Sequence, residues 1–90
     1  MTSFIDSIQK FCNDPKVYFK IENTEINDIP EELINIKILN YLELRNCNLE
    51  KITRIPINLK LLNIKNNKLS KIDSLIFNDN LKILNFDDNI

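Results

Sequence analysis

Apolar residues along this chain fall into two rhythms. In the first fourteen residues, Phe4, Ile5, Ile8, Phe11 and Cys12 sit at i, i+1, i+4, i+7 and i+8, one face of a helix. Ser3, three residues before Asp6, resembles a capping box with Asp in place of Glu, and Asp14-Pro15 ends the segment. A helix is expected over 3–12. From residue 16 the rhythm changes to apolar pairs two residues apart: Phe19/Ile21, Leu42/Leu44, Leu62/Ile64 and Leu84/Phe86. Period two is the signature of a strand whose paired side chains point to one side. Four short strands are therefore expected, the last over 81–86.

The pairs belong to a longer unit. Leu59, Leu62, Ile64, Asn67 and Leu69 fill every fixed position of L-x-x-L-x-L-x-x-N-x-L. Leu39, Leu42, Leu44, Cys47 and Leu49 fill the same frame upstream, with Cys in the Asn place. Leu81, Leu84, Phe86 and Asn89 fill it downstream, and Phe19, Ile21, Thr24 and Ile26 make a degenerate first copy with Lys16 in the leading slot. The copies start at 16, 39, 59 and 81, spacings of 23, 20 and 22 residues. The segment 16–90 thus resembles the leucine-rich-repeat proteins, whose units run ~20–29 residues. The short second copy is similar to the twenty-residue repeats of bacterial effector proteins.

That resemblance implies an α/β solenoid: a right-handed leucine-rich-repeat coil, a short parallel sheet on its concave side and an N-terminal capping helix. A single domain over 1–90 is expected. It divides into a cap at 1–15, repeats at 16–38, 39–58 and 59–80, and a partial fourth at 81–90. Thr24, Cys47, Asn67 and Asn89 take the inward turn position, where a side chain must satisfy buried backbone groups. Thr and Cys do only part of that, so the first two copies should be looser. Ile26, Ile29, Leu33 and Ile36 lead to Leu39 at spacings of three and four, which fits a short helical or 3₁₀ convex segment. Leu75, Ile76 and Phe77 should fill the interior of the third copy. The N-terminal helix should cover the open end of the first; a membrane-surface or partner-binding helix is the alternative reading.

Composition changes this picture only at the margins. Hydrophobic content of 43% is too high for disorder, and a net charge of −1 gives no field for collecting nucleic acid or an anionic membrane. No apolar run approaches the ~20 residues of a spanning helix, and the first residues lack the form of a signal peptide. Two cysteines and no Asn-x-Ser/Thr acceptor point to reduced thiols in a cytoplasmic protein. Glycine is absent and Asn is abundant; Asn is the non-glycine residue best suited to left-handed backbone at turns.

The chain carries little that could do chemistry. Without His there is no imidazole base or metal ligand, and without Gly no phosphate-cradling loop. Cys12 and Cys47 read as core and turn residues, and Asp87-Asp88 with Glu22 or Asp79 lack calcium-loop spacing. No enzyme, cofactor or metal is expected.

The resemblance instead points to the strand positions between the leucines, the surface with which the family usually binds proteins. One column there is apolar: Tyr18, Tyr41, Leu61 and Ile83. The next reads Lys20, Glu43, Asn63, Asn85, and the third Glu22, Arg45, Lys65, Asp87. Opposite charges should pair as Lys20–Glu43, Glu22–Arg45 and Lys65–Asp87. The expected binding residues are Tyr18, Lys20, Tyr41, Glu43, Arg45, Leu61, Asn63, Lys65, Ile83 and Asn85. Charge also segregates along the chain: Glu22, Glu25, Asp28, Glu31 and Glu32 are followed by Lys51, Arg54, Lys60, Lys65, Lys68 and Lys71. A solvated edge explains this, or orientation of a partner of matching polarity. The leading expectation is a protein-interaction module with an unidentified protein partner, without nucleic acid or membrane. The alternatives are the recognition part of a larger enzyme such as a ubiquitin ligase, and a self-assembling structural protein. Self-association as a homodimer through strand 81–86 is expected if that edge is open.

Overall fold

Strands form where the apolar pairs predict them. The computed structural model describes residues 4–70 and 79–90 and shows a small α/β domain. Its elements are helix α1 (Phe4–Asn13), β1 (Tyr18–Glu22), a 3₁₀ turn (Glu31–Leu33), β2 (Tyr41–Arg45), β3 (Leu61–Asn63) and β4 (Ile83–Asn85). The strands form one open sheet in chain order, and every neighbouring pair is parallel. The last strand is shorter than the 81–86 expected: Leu81 and Phe86 flank it, half-buried against the core.

Register puts like positions side by side. Tyr18, Tyr41, Leu61 and Ile83 align, as do Phe19, Leu42, Leu62 and Leu84. The second set turns inward with Ile21, Leu44 and Ile64. Leu42, Leu44, Leu62 and Ile64 lose all contact with water, as do Leu33, Leu39, Leu49 and Leu59. Each such leucine contributes about 1.5–3 kcal/mol relative to an exposed one, so this ladder is the main force holding the strands together. Leu84 is 39% exposed because it lies on the outer strand. Leu75, Ile76 and Phe77 lie outside the described residues, as does Ser3 with its capping role.

Turn chemistry repeats with the same spacing. Asn23, Asn46, Asn66 and Asp88 all adopt left-handed backbone, φ 53° to 60°, one residue before Thr24, Cys47, Asn67 and Asn89. Short polar side chains tolerate that region best after glycine, which explains how a glycine-free chain makes these turns. Asn67 is the best-connected turn residue. Its Oδ1 accepts from the N–H of Cys47 and of Leu49, both at 3.0 Å. Its Nδ2 donates to the carbonyls of Leu44 (2.7 Å), Ile64 (2.9 Å) and Lys65 (3.3 Å). Asn89 copies this with one acceptor bond, from Leu69 N–H at 3.0 Å, and donor bonds to Ile64, Phe86 and Asp87. Cys47 lies 3.4 Å from Ile21 O and 3.3 Å from Arg45 O, and Thr24 reaches only Glu22 O, two residues back.

Two more asparagines join neighbouring turns, and sequence reasoning did not single them out. Asn58 Nδ2 donates to Lys37 O at 2.9 Å and Asn80 Nδ2 to Ile57 O at 3.2 Å. Each directly precedes a leading leucine, Leu59 or Leu81, and that shared dipeptide was the available signal. Asp28, read as part of an acidic surface, also ties turns together. Its carboxylate accepts from the N–H of Ile29 and from the N–H and hydroxyl of Thr53.

Helix α1 ends one residue later than expected, at Asn13, and is rolled about its axis. Ile8 and Phe11 are buried and Phe4 and Cys12 half-buried, but Ile5 is 63% exposed. The cause is Phe11, which stacks on Phe19 with ring centroids 4.3 Å apart and draws the helix toward β1, turning Ile5 outward.

Candidate binding face

The outward side of the sheet displays three columns. In the first, Tyr18 and Tyr41 meet edge to face at 4.7 Å, a geometry worth about 0.5–1.5 kcal/mol beyond burial. Tyr18 and Ile83 are exposed, and Tyr41 and Leu61 are half-buried between them. Alternation along the strands makes this placement unavoidable: once Phe19, Leu42, Leu62 and Leu84 point inward, their predecessors point out. Partial burial raises the Tyr18 phenol above its usual range, and the Glu43 carboxylate adds to the shift.

The second column is a hydrogen-bonded rung centred on Glu43. Sequence reasoning placed Glu43 on the exposed face, but it is only 8% exposed. The reason is its neighbours. Tyr41 Oη donates to Glu43 Oε1 at 3.2 Å and Asn63 Nδ2 donates to the same oxygen at 3.3 Å, while Lys20 Nζ stands 3.8 Å from Oε2. Three side chains close over the carboxylate and compensate its burial, as a buried charge requires. A partner therefore meets the Tyr41 ring and the Lys20 stem before it meets Glu43. Asn63 and Asn85 each turn Oδ1 back to accept a backbone N–H, from Lys65 and Asp87 respectively, both at 3.1 Å.

The third column departs from the expected pairing. Glu22 and Arg45 are in register, yet no ion pair joins them; Glu22 lies 3.5 Å from Lys20 on its own strand. Lys65 stands 4.0 Å from Asp88, not beside Asp87. Left-handed backbone at Asp88 redirects the chain there, which a strand-only register could not anticipate. Arg45 is exposed and forms no ion pair among the described residues.

Away from this face, an Arg54–Glu31 pair at 3.9 Å bridges the acidic and basic stretches, so their segregation is partly neutralised. Such exposed pairs contribute little to stability. A polar groove of about 360 Å³ follows the turns, lined by Asn23, Asn46, Asn48, Asn66 and Lys68 among others. Both thiols are unpaired; burial raises that of Cys47, opposed by the Thr24 N–H directed at the sulfur, and burial also raises Cys12. Among the described residues no group of His, Cys, Asp and Glu could hold a metal ion, and no helix is long and apolar enough to cross a membrane. Comparison of the chain with protein-family models, with curated proteins and with solved structures finds no match.

Proposed function

We propose that this chain is a short leucine-rich-repeat solenoid that binds a partner protein through the outward face of its sheet. The solenoid reading is supported by three features of one spacing: the inward leucine pairs, the left-handed residue before each turn, and Asn67 and Asn89 bonding back to the preceding turn. Helix α1 serves as the cap, with Phe11 against Phe19. The binding reading rests on one observation, the column Tyr18–Tyr41–Leu61–Ile83. It places apolar and aromatic side chains in line across four strands, beside a rung already satisfied internally. Aromatic residues with satisfied polar neighbours are the composition of interface cores. A cytoplasmic setting fits the unpaired thiols, which persist where the surroundings are reducing.

The test compares captured partners quantitatively. The intact chain, Tyr41→Ala and Leu61→Asp are immobilised at equal density after circular dichroism shows each folded. Proteins bound by the native chain should fall at least tenfold with Leu61→Asp and several-fold with Tyr41→Ala. Equal capture by all three would remove the face from consideration.

A further inference from the structure

A second surface lies at the outer edge of β1, apart from the sheet face proposed above. Tyr41 N–H donates to Val17 O at 2.9 Å and Asn23 N–H donates to Arg45 O at 3.1 Å. In a parallel ladder this turns the peptide groups of residues 17, 19, 21 and 23 toward β2 and those of Tyr18, Lys20 and Glu22 away from it. No backbone hydrogen bond joins α1 to β1 among the described residues, although Phe11 of the helix stacks on Phe19 of the strand. Thr24 Oγ1 donates to Glu22 O; the other outward groups have no partner among the described residues.

Helix and strand are separated here by a groove. One part, about 360 Å³, is lined by Ser7, Phe11, Phe19 and Lys20, and a second of about 210 Å³ shares Ser7 and Lys20 and continues toward Thr24. Its floor is the Phe11–Phe19 stack. Its charge is positive in balance: Asp14 is held by Lys16 at 2.9 Å and Glu22 by Lys20 at 3.5 Å, leaving Lys10 without an ion pair among the described residues.

We propose that this groove takes an extended segment of a partner protein, which adds to β1 as a fifth strand and carries alternating apolar and acidic residues. Strand addition supplies affinity through main-chain bonds and specificity through alternate side chains. Three consecutive outward peptide units, at residues 18, 20 and 22, offer the main-chain bonds. Period two then sends one set of the segment's side chains onto the phenylalanine floor, and acidic residues meet Lys10. Lys16 and Lys20 also keep the edge from pairing indiscriminately, since charge on an edge strand opposes aggregation.

The test selects octapeptides from a random displayed library on the intact chain and follows amide exchange with the synthesised binders. Selected peptides should alternate apolar with Asp or Glu. Bound peptide should slow exchange at least tenfold at Tyr18, Lys20 and Glu22. Lys20→Pro removes one outward donor at a site where edge strands accept proline, and should weaken binding at least tenfold. Lys20→Ala keeps that N–H and should cost less than threefold. Should Lys20→Pro not fold, Ser7→Trp fills the groove from the helix side and should give the same loss. The proposal is overturned if panning yields no binder, or if protection falls on Tyr41, Leu61 and Ile83 instead. It is equally overturned if Lys20→Pro, or Ser7→Trp in its place, binds like the native chain. Protection of the three amides that grows with protein concentration alone would assign the groove to a second copy and overturn it too.

Discussion

Replacing Asn67 with alanine removes more hydrogen bonds than any other single side-chain truncation among the described residues. The residue is 6% exposed, and its amide serves five backbone groups. The decisive ones are the N–H groups of Cys47 and Leu49, two residues without solvent contact for which Oδ1 is the acceptor. An orphaned buried donor costs about 1–3 kcal/mol, so the pair costs about 2–6 kcal/mol. Water entering the vacated volume relieves part of this, and a loss of about 3 kcal/mol is expected. A domain of this size holds about 5–13 kcal/mol in total, at 0.05–0.15 kcal/mol per residue. The variant should therefore remain folded in buffer but unfold at much lower urea. Asn89→Ala supplies the internal comparison: Asn89 is half-buried and among the described residues accepts a single N–H, from Leu69, so its loss should be about 1–2 kcal/mol. Urea titrations followed by circular dichroism, with linear extrapolation, give both values. A loss below about 1 kcal/mol for Asn67→Ala, or a larger loss for Asn89→Ala, would refute the account of the turn.

Cys47→Asn should leave stability unchanged or raise it by about 0.5–1.5 kcal/mol, because an amide oxygen can accept where sulfur accepts weakly, as the same urea titrations would reveal. In native buffer Cys47 should alkylate far more slowly than half-buried Cys12, and equal rates in a mass-spectrometric time course would contradict the inward register of Cys47. Because burial raises the Cys47 thiol in the folded chain, its contribution to stability is full below the ordinary thiol value of the unfolded chain and is lost as pH rises through the folded value. Cys47→Asn should abolish that part of the alkaline decline, and an identical pH profile for both proteins would count against it. Exposed Ile83 and Leu84 on outer strand β4 lead us to expect concentration-dependent self-association of the ninety-residue chain, reduced by Leu84→Lys; constant mass in light scattering across a concentration series would exclude it.

Local pattern alone determined the strands, their inward residues and their turns. Leu42 and Leu44, Leu62 and Ile64 are recognisable because period two is a property of three consecutive residues, whatever lies beyond them. The alignment of Tyr18, Tyr41, Leu61 and Ile83 follows from equal position in copies of one frame. Asn67 was legible for the same reason: a buried turn backbone demands a side chain with both donor and acceptor, and little else fits. What lay beyond the sequence depends on how separate segments approach one another. Glu43 becomes buried because Tyr41, Asn63 and Lys20, from three strands, close over it together. Ile5 turns outward because Phe11 finds Phe19, and nothing within the helix favours one edge of its apolar face over the other. Lys65 reaches Asp88 instead of Asp87 because a left-handed residue redirects the chain after β4. The groove along β1 exists because α1 packs by its phenylalanines and not by its backbone, a choice made by the shape of two rings in contact.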